Sequence, residues 1–166
     1  MQQPTGQNTE QERDRTRQNT EQERGRQAWD NIRDIKTHDT SSERKLEKEY
    51  RSLARGLNAM IQINGLGQTL GFLKAKGKND ENKPHYLLLM HITGWMRDPK
   101  HFKANNSGII AKGYDGLLQW IVDTDTSSAD YRRATTECLA FGVWLRRFAE
   151  AELKEPEAGD TGVTGI

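Results

Sequence analysis

Basic side chains at helical spacing are the residues of this chain best suited to bind another molecule. Eight of them share a positive charge and a predicted helical position: Arg44, Lys48, Arg51, Arg55, Lys74, Lys76, Arg132 and Arg146. The first four fall at i, i+4, i+7 and i+11, which is one face of an α-helix. A row of cations suits a phosphate backbone, which it binds without reading the base sequence and more weakly as salt rises.

The distribution of charge supports this interpretation. The formal net charge is +1, but residues 44–112 carry +8, whereas residues 1–43 carry −2 and residues 113–166 carry −5. The alternative is a solvated helix face whose cations pair with neighbouring acids such as Glu47 and Glu49. No aromatic stacking motif or recognition helix accompanies the cations, so base-specific readout is not indicated. The pattern therefore favours sequence-independent contact with a phosphate backbone.

Catalytic and metal-binding residues are sparse. None of the four histidines has the His-Glu-x-x-His spacing of a zinc site, and the single cysteine, Cys138, falls on the apolar stripe of the last predicted helix. A ribonuclease could use His85 or His91 together with Lys100 as acid and base, although their spacing does not require it. We therefore expect no enzymatic activity, no cofactor and no bound metal.

A glycine-rich stretch around Gly65, Gly67 and Gly71 resembles a nucleotide-binding loop at first sight. The third glycine stands one residue late for the dinucleotide fingerprint, and no further strands follow to build a parallel sheet. In a helix, Gly67 and Gly71 lie on one face, where missing side chains let another helix approach. We expect close packing or partner docking at these glycines.

The elements that position these residues are helices. Thr40 and Glu43 form a predicted capping box at the start of the second helix, and a third helix is expected from about Asn58 to Lys76. Pro84 suits the first turn of a fourth helix, and Ser127 or Ser128 can cap a long last one. No stretch alternates with period two for long enough to indicate a strand. We predict an all-α, compact bundle of about six helices.

Composition divides the chain into a core and two tails. Residues 1–27 are polar and contain the tandem copies Gln7–Arg13 and Gln18–Arg24, offset by eleven residues. Residues 28–154 are expected to form the bundle, and residues 155–166, rich in Gly, Thr and acids, a disordered tail. No apolar run approaches the ~20 residues of a membrane span, and no signal stretch is evident, so we expect a cytoplasmic protein.

Two blocks of sequence resemble a known family. Residues 50–55 with 60–73, and residues 131–151 near the end, are similar to the small α-helical subunit of the type III-B CRISPR (Cmr) RNA-targeting effector complex. The resemblance extends over about residues 28–155 and leaves out the duplicated segment. The family often has a proline where Asn58 stands, which bears on the break between the second and third helices.

The resemblance implies a structural subunit without catalysis, which stacks on copies of itself and contacts other effector subunits, the guide RNA and the target RNA. Opposite charges within one chain also suit head-to-tail stacking, with an acidic patch expected at Asp123, Asp125 and Asp130. Two alternatives stay open. The chain could be a protein–protein interaction module without RNA contact, or a ribonuclease dependent on His85 or His91.

Overall fold

The computed structural model describes residues 6–36, 40–104 and 110–155. They form six helices: α1 (Gly6–Ile35), α2 (Ser41–Asn64), α3 (Leu66–Gly77), α4 (Pro84–Arg97), α5 (Gly116–Val122) and α6 (Ser128–Glu152). No strand occurs among these residues, which confirms the predicted all-α bundle of six helices. The first five residues of the predicted N-terminal tail and nearly all of the predicted C-terminal tail lie outside the described residues. Within the described part, no helix has both the length and the apolarity to cross a membrane.

Helix α1 is 30 residues long, about 45 Å, and contains both copies of the duplicated segment. Its later half buries Ala28, Ile32 and Ile35 against the bundle, as their spacing predicts. Trp29, expected on the same face, is 37% exposed and packs edge-on against Phe148 of α6, with ring centroids 5.1 Å apart. This helix therefore lies along α6 for part of its length.

The second copy of the duplicated segment contacts the bundle through its charged side chains. Arg24 donates from Nε and Nη2 to the two carboxylate oxygens of Glu137 on α6, at 2.8 and 2.7 Å. Glu21 accepts from the Trp144 indole at 3.0 Å, and Glu23 lies 3.4 Å from the His101 ring nitrogen. The corresponding side chains of the first copy, at positions 10 to 13, are exposed.

Helix α2 begins where its sequence predicts. The Thr40 side chain accepts from the Glu43 backbone N–H, and the Glu43 carboxylate accepts from the Thr40 N–H, so the capping box is complete. The expected break near Asn58 is wrong, because α2 continues to Asn64. Without a proline at position 58, the helical hydrogen bonds persist until Gly65, whose φ of +84° favours a residue without Cβ.

A close antiparallel seam joins α2 to α6. The Asn58 amide donates to the Leu139 carbonyl at 3.0 Å, while Arg51 reaches the Glu150 carbonyl at the other end of the seam. A Cβ at Gly142 would overlap the Asn58 side chain, so the missing side chain permits the close approach of the two helices.

The expected close packing at the glycine-rich stretch holds at one glycine and fails at another. The Gly67 N–H donates to the Tyr131 hydroxyl at 3.1 Å, and a Cβ there would lie 3.4 Å from a methyl group of Ile121. At Gly71 a Cβ would meet nothing within 4 Å, so internal packing does not explain this second glycine.

The interior is organised around Trp95 of α4, which is fully buried. Its ring is stacked between His101, with centroids 3.6 Å apart, and Phe141 of α6, at 4.9 Å. Its indole N–H donates to Glu137 at 2.8 Å. One tryptophan thus joins α4, α6 and, through Glu137, the Arg24 side chain of α1.

Candidate nucleic-acid interface

The predicted basic stripe lies on α2, on the side that meets α6. Arg44 and Arg55 are exposed, whereas Lys48 and Arg51 are partly buried. The four residues occupy about three helical turns within one uninterrupted helix. The four residues therefore share one side of α2, and this side borders the α2–α6 seam at Arg51 and Arg55.

Three arginines from two helices meet at one glutamate on this surface, and we call Arg51, Arg55, Arg146 and Glu150 the Glu150 cluster. Arg146 Nε donates to Glu150 Oε1 at 3.3 Å, and Arg55 Nε lies 3.5 Å from the same oxygen. Arg51 donates to the Glu150 carbonyl at 3.2 Å and pairs with Glu155 at 3.1 Å. Sequence reasoning selected the three arginines but missed Glu150.

Lys74 and Lys76 lie elsewhere, near the end of α3. Lys74 Nζ is 2.6 Å from Asp115 Oδ2, and this hydrogen bond and charge raise the pKa of Lys74. Lys76 is exposed and close enough to His85 that its charge contributes to lowering the histidine pKa. These two lysines therefore form a separate basic region, of which Lys74 is already paired.

Arg132 lies in the first half of α6, beside a shallow groove lined by His101, Lys103 and Arg133. Arg133 donates to the Lys103 carbonyl at 2.8 Å. Arg132 is 14 residues before Arg146, about 21 Å along the helix axis. The eight predicted contact residues therefore fall into three regions: the α2–α6 seam, the end of α3 and the start of α6.

The expected acidic patch is smaller than the sequence suggests. Asp130 is fully buried and bonds Arg133 Nη1 at 2.9 Å, so it does not contribute to an exposed acidic surface. It lies in the first turn of α6, where its backbone N–H donates to the Ser127 side chain that caps the helix. Asp123 and Asp125 are exposed.

One of the two histidines considered for ribonuclease chemistry is only 6% exposed to solvent. His91 is buried, and its Nδ1 lies 2.7 Å from the Tyr50 hydroxyl. Burial lowers the His91 pKa to about 4 and raises the Tyr50 pKa, so both groups are neutral and the hydroxyl donates to the ring. His85 is half-buried against Phe72, and its pKa is lowered mainly by burial.

Other reactive groups in the described residues also have structural surroundings. Cys138 is buried in the core, as its position on the apolar stripe predicts, and burial raises the pKa of its thiol. No group of three His, Cys, Asp or Glu side chains among these residues is placed to hold a metal ion.

A protein family and solved structures both match this chain. A family model described as CRISPR-associated protein (Cas_Cmr5) matches residues 20–152. The crystal structure of a CRISPR-associated Cmr5 family protein from Thermus thermophilus is similar over 81% of this chain and 97% of that chain, with 20% identity and a TM-score of 0.58. At that identity the second match shows a shared fold. The family match begins within the second copy of the duplicated segment, eight residues earlier than the sequence resemblance suggests.

Proposed function

Because the chain belongs to the Cas_Cmr5 family of CRISPR-associated proteins, we propose that it is a non-catalytic structural subunit of a type III-B CRISPR ribonucleoprotein effector in the cytoplasm. In this role it stacks on copies of itself and on other effector subunits, and it contacts the guide and target RNA. Its contribution is to hold the RNA backbone, while cleavage belongs to other subunits.

The observation that carries the RNA contact is the Glu150 cluster. Arg55 and Arg146 are 65% and 50% exposed, so their guanidinium groups are accessible to a phosphate. Guanidinium groups bind phosphate oxygens in a bidentate manner, which makes arginine the preferred residue for such contacts. Lys76 and Arg132 provide further exposed cations outside the seam, where they would meet the same polyanion along its path.

The burial of His91 supports a role without cleavage. A general acid or base must reach the scissile phosphate, and this side chain is enclosed and occupied by Tyr50. His85 retains partial exposure, but Lys76 and burial hold its pKa below the ordinary value, which favours the neutral ring. This arrangement disfavours the ribonuclease considered from the sequence, which would depend on His85 or His91.

The test is RNA binding by the full-length chain, with two double variants of equal charge change. Arg55→Gln with Arg146→Gln removes two exposed cations from the cluster, whereas Arg13→Gln with Arg17→Gln removes two from the exposed start of α1. We expect the first pair to weaken binding of single-stranded RNA roughly tenfold in low salt and to reduce the slope of log affinity against log salt by about 1.4.

The control pair should change RNA affinity by less than about twofold, because its charges lie near the start of α1, whereas it is the other end of the helix that approaches the cluster, where Lys36 pairs with Glu152. Equal losses in the two pairs would contradict a localised contact surface. Cutting of RNA by the purified chain, abolished by His85→Ala, would contradict the non-catalytic role.

A protein–protein interaction module is the second candidate, favoured by two exposed apolar side chains. Ile63 at the end of α2 is 81% exposed and Val122 at the end of α5 is 69% exposed. Covering such an exposed apolar side chain by another subunit would be favourable, because it removes apolar surface from water. If the double arginine variant lost binding to a partner subunit while its RNA affinity stayed unchanged, this candidate would replace the first.

A further inference from the structure

The Glu150 cluster has more hydrogen-bond donors than acceptors. Three guanidinium groups bring about fifteen N–H donors. The acceptors that they contact within the described residues are the Glu150 carbonyl, Glu150 Oε1 and one oxygen of Glu155. Arg51 is only 12% exposed, and its buried Nε has no hydrogen-bond partner among these residues. An unpaired donor in such a position is costly, so the cluster is incomplete as it stands.

Glu150 is also a poor fit to the arginines around it. Its contacts to Arg146 and Arg55, at 3.3 and 3.5 Å, are long for charge-assisted hydrogen bonds, which usually measure about 2.7–2.9 Å. Both use the same oxygen. The Glu150 carboxylate thus meets both guanidinium groups through one oxygen and at long distance, and 32% of its side chain is exposed to water.

From this imbalance we infer that the Glu150 cluster is a binding site for one phosphate group, whose place the Glu150 carboxylate occupies when no polyanion is bound. The inference rests on the proposed function, since it takes the phosphate from an RNA backbone. A phosphodiester offers its oxygens in a tetrahedral arrangement, which can accept from guanidinium groups that approach from different directions. Glu150 keeps the like-charged arginines together in the absence of RNA and competes with RNA for them.

This competition predicts the direction in which RNA affinity changes when Glu150 is neutralised. If Glu150 only anchored the arginines, its neutralisation would loosen them and weaken RNA binding. If Glu150 occupies the phosphate position, its neutralisation removes a negative charge a few ångströms from the incoming phosphate. A unit charge at about 4 Å in water changes affinity roughly fivefold.

The experiment compares Glu150→Gln with Glu152→Gln in the full-length chain. Both variants raise the net charge by one and both lie in the last turn of α6. Glu152, however, pairs with Lys36 of α1 at 2.8 Å and points about 200° away from Glu150 around the helix. Affinity for a single-stranded oligouridine RNA is measured over a salt series, and thermal unfolding is measured with and without inorganic phosphate.

We expect Glu150→Gln to bind the RNA roughly fivefold more tightly than the native chain in low salt. Glu152→Gln should change affinity by less than about twofold, because its charge is farther away and screened. Inorganic phosphate should raise the unfolding temperature of Glu150→Gln more than that of Glu152→Gln. Equal affinities in the two variants, or weaker RNA binding by Glu150→Gln, would overturn the inference.

The outcomes separate this site from the proposed function. If no variant binds RNA but phosphate selectively stabilises Glu150→Gln, the site exists for a free phosphate and the RNA-contacting role fails. If the native chain binds RNA and both variants behave alike, the RNA role stands and the displacement of Glu150 is wrong. Should Glu150→Gln not fold, Glu150→Asp shortens the side chain and retracts the carboxylate; tighter RNA binding supports the inference and weaker binding overturns it.

Discussion

Glu137 and Glu150 are two carboxylates on the same helix, thirteen residues apart, with opposite surroundings. Glu137 is 14% exposed and receives three short hydrogen bonds, two from Arg24 and one from Trp95. Glu150 is 32% exposed, shares one oxygen between two guanidinium groups and makes longer contacts. We call the Glu137 arrangement closed, because its donors and acceptors are matched, and we call the Glu150 arrangement open.

This difference bears on which charged groups matter for folding stability and which remain exposed to solvent. Breaking a matched and buried ion pair destabilises the fold, because the partner that remains is buried without its counter-charge. An exposed group of cations contributes little to stability, since water solvates each charge well, and it remains available to a ligand. Donor balance, together with the exposure of Arg55 and Arg146, therefore separates the structural Arg24 from the arginines that we propose to bind RNA.

The largest expected effect is on stability when Glu137 is removed. Glu137→Ala leaves the Arg24 guanidinium and the buried Trp95 N–H without their acceptor, and we expect the free energy of unfolding to fall by about 3 kcal/mol. Urea unfolding at neutral pH measures this. Glu150→Ala, on the same helix, should cost less than about 1 kcal/mol. Equal losses at the two sites would remove the distinction between closed and open clusters.

A smaller loss of folding stability is expected at low pH, because of the buried contact between Tyr50 and His91. The folded-state His91 pKa of about 4 lies below the ordinary 6.5, so between these values the unfolded state takes up a proton that the folded state does not. Stability is therefore present above pH 6.5 and is lost as pH falls, by about 2 kcal/mol between pH 7 and pH 5.

Urea unfolding at several pH values measures that loss. His91→Gln keeps an acceptor for the Tyr50 hydroxyl but cannot titrate, so its stability should depend less on pH over the same range. An unchanged pH dependence in this variant would show that other groups cause the acid destabilisation.

The smallest of the three effects compares the two copies of the duplicated segment. Arg24→Ala removes the guanidinium from Glu137 but leaves the Trp95 hydrogen bond, and we expect a loss of about 1.5 kcal/mol in unfolding free energy. Arg13→Ala changes the corresponding residue of the exposed first copy and should have an effect within about 0.5 kcal/mol. Similar losses in thermal or urea unfolding would indicate that the first copy also contributes to stability.

Much of the fold could be predicted because its signals are local. Thr40 with Glu43, Pro84 and Ser127 mark helix starts through contacts within three or four residues, and the structure confirms each. The expected boundary between α2 and α3 near Asn58 was wrong, because position 58 has no proline to end the helix and α2 continues to Asn64. The chain instead ends α2 at Gly65, where a positive φ is required.

The candidate site could be predicted in part. Helical spacing identified the arginines of α2, but no local signal indicates that Arg51 meets Glu150, 99 residues later in the chain. The same limit applies to Asp130, whose acidic neighbours suggested an exposed patch while its pairing with Arg133 depends on burial. Partners distant in sequence, and the balance of donors among them, become visible only when the helices are packed.

Gly142 gives the α2–α6 seam its narrow spacing. It lies about two helical turns before Glu150 on the same helix, so the helix spacing at Gly142 affects where the Glu150 carboxylate lies relative to α2. A methyl group added at Gly142 would overlap the Asn58 side chain. If the helices separate to relieve this overlap, Glu150 shifts relative to the arginines of α2. The position of the Glu150 carboxylate on this surface thus depends on an uncharged residue about 12 Å away along α6.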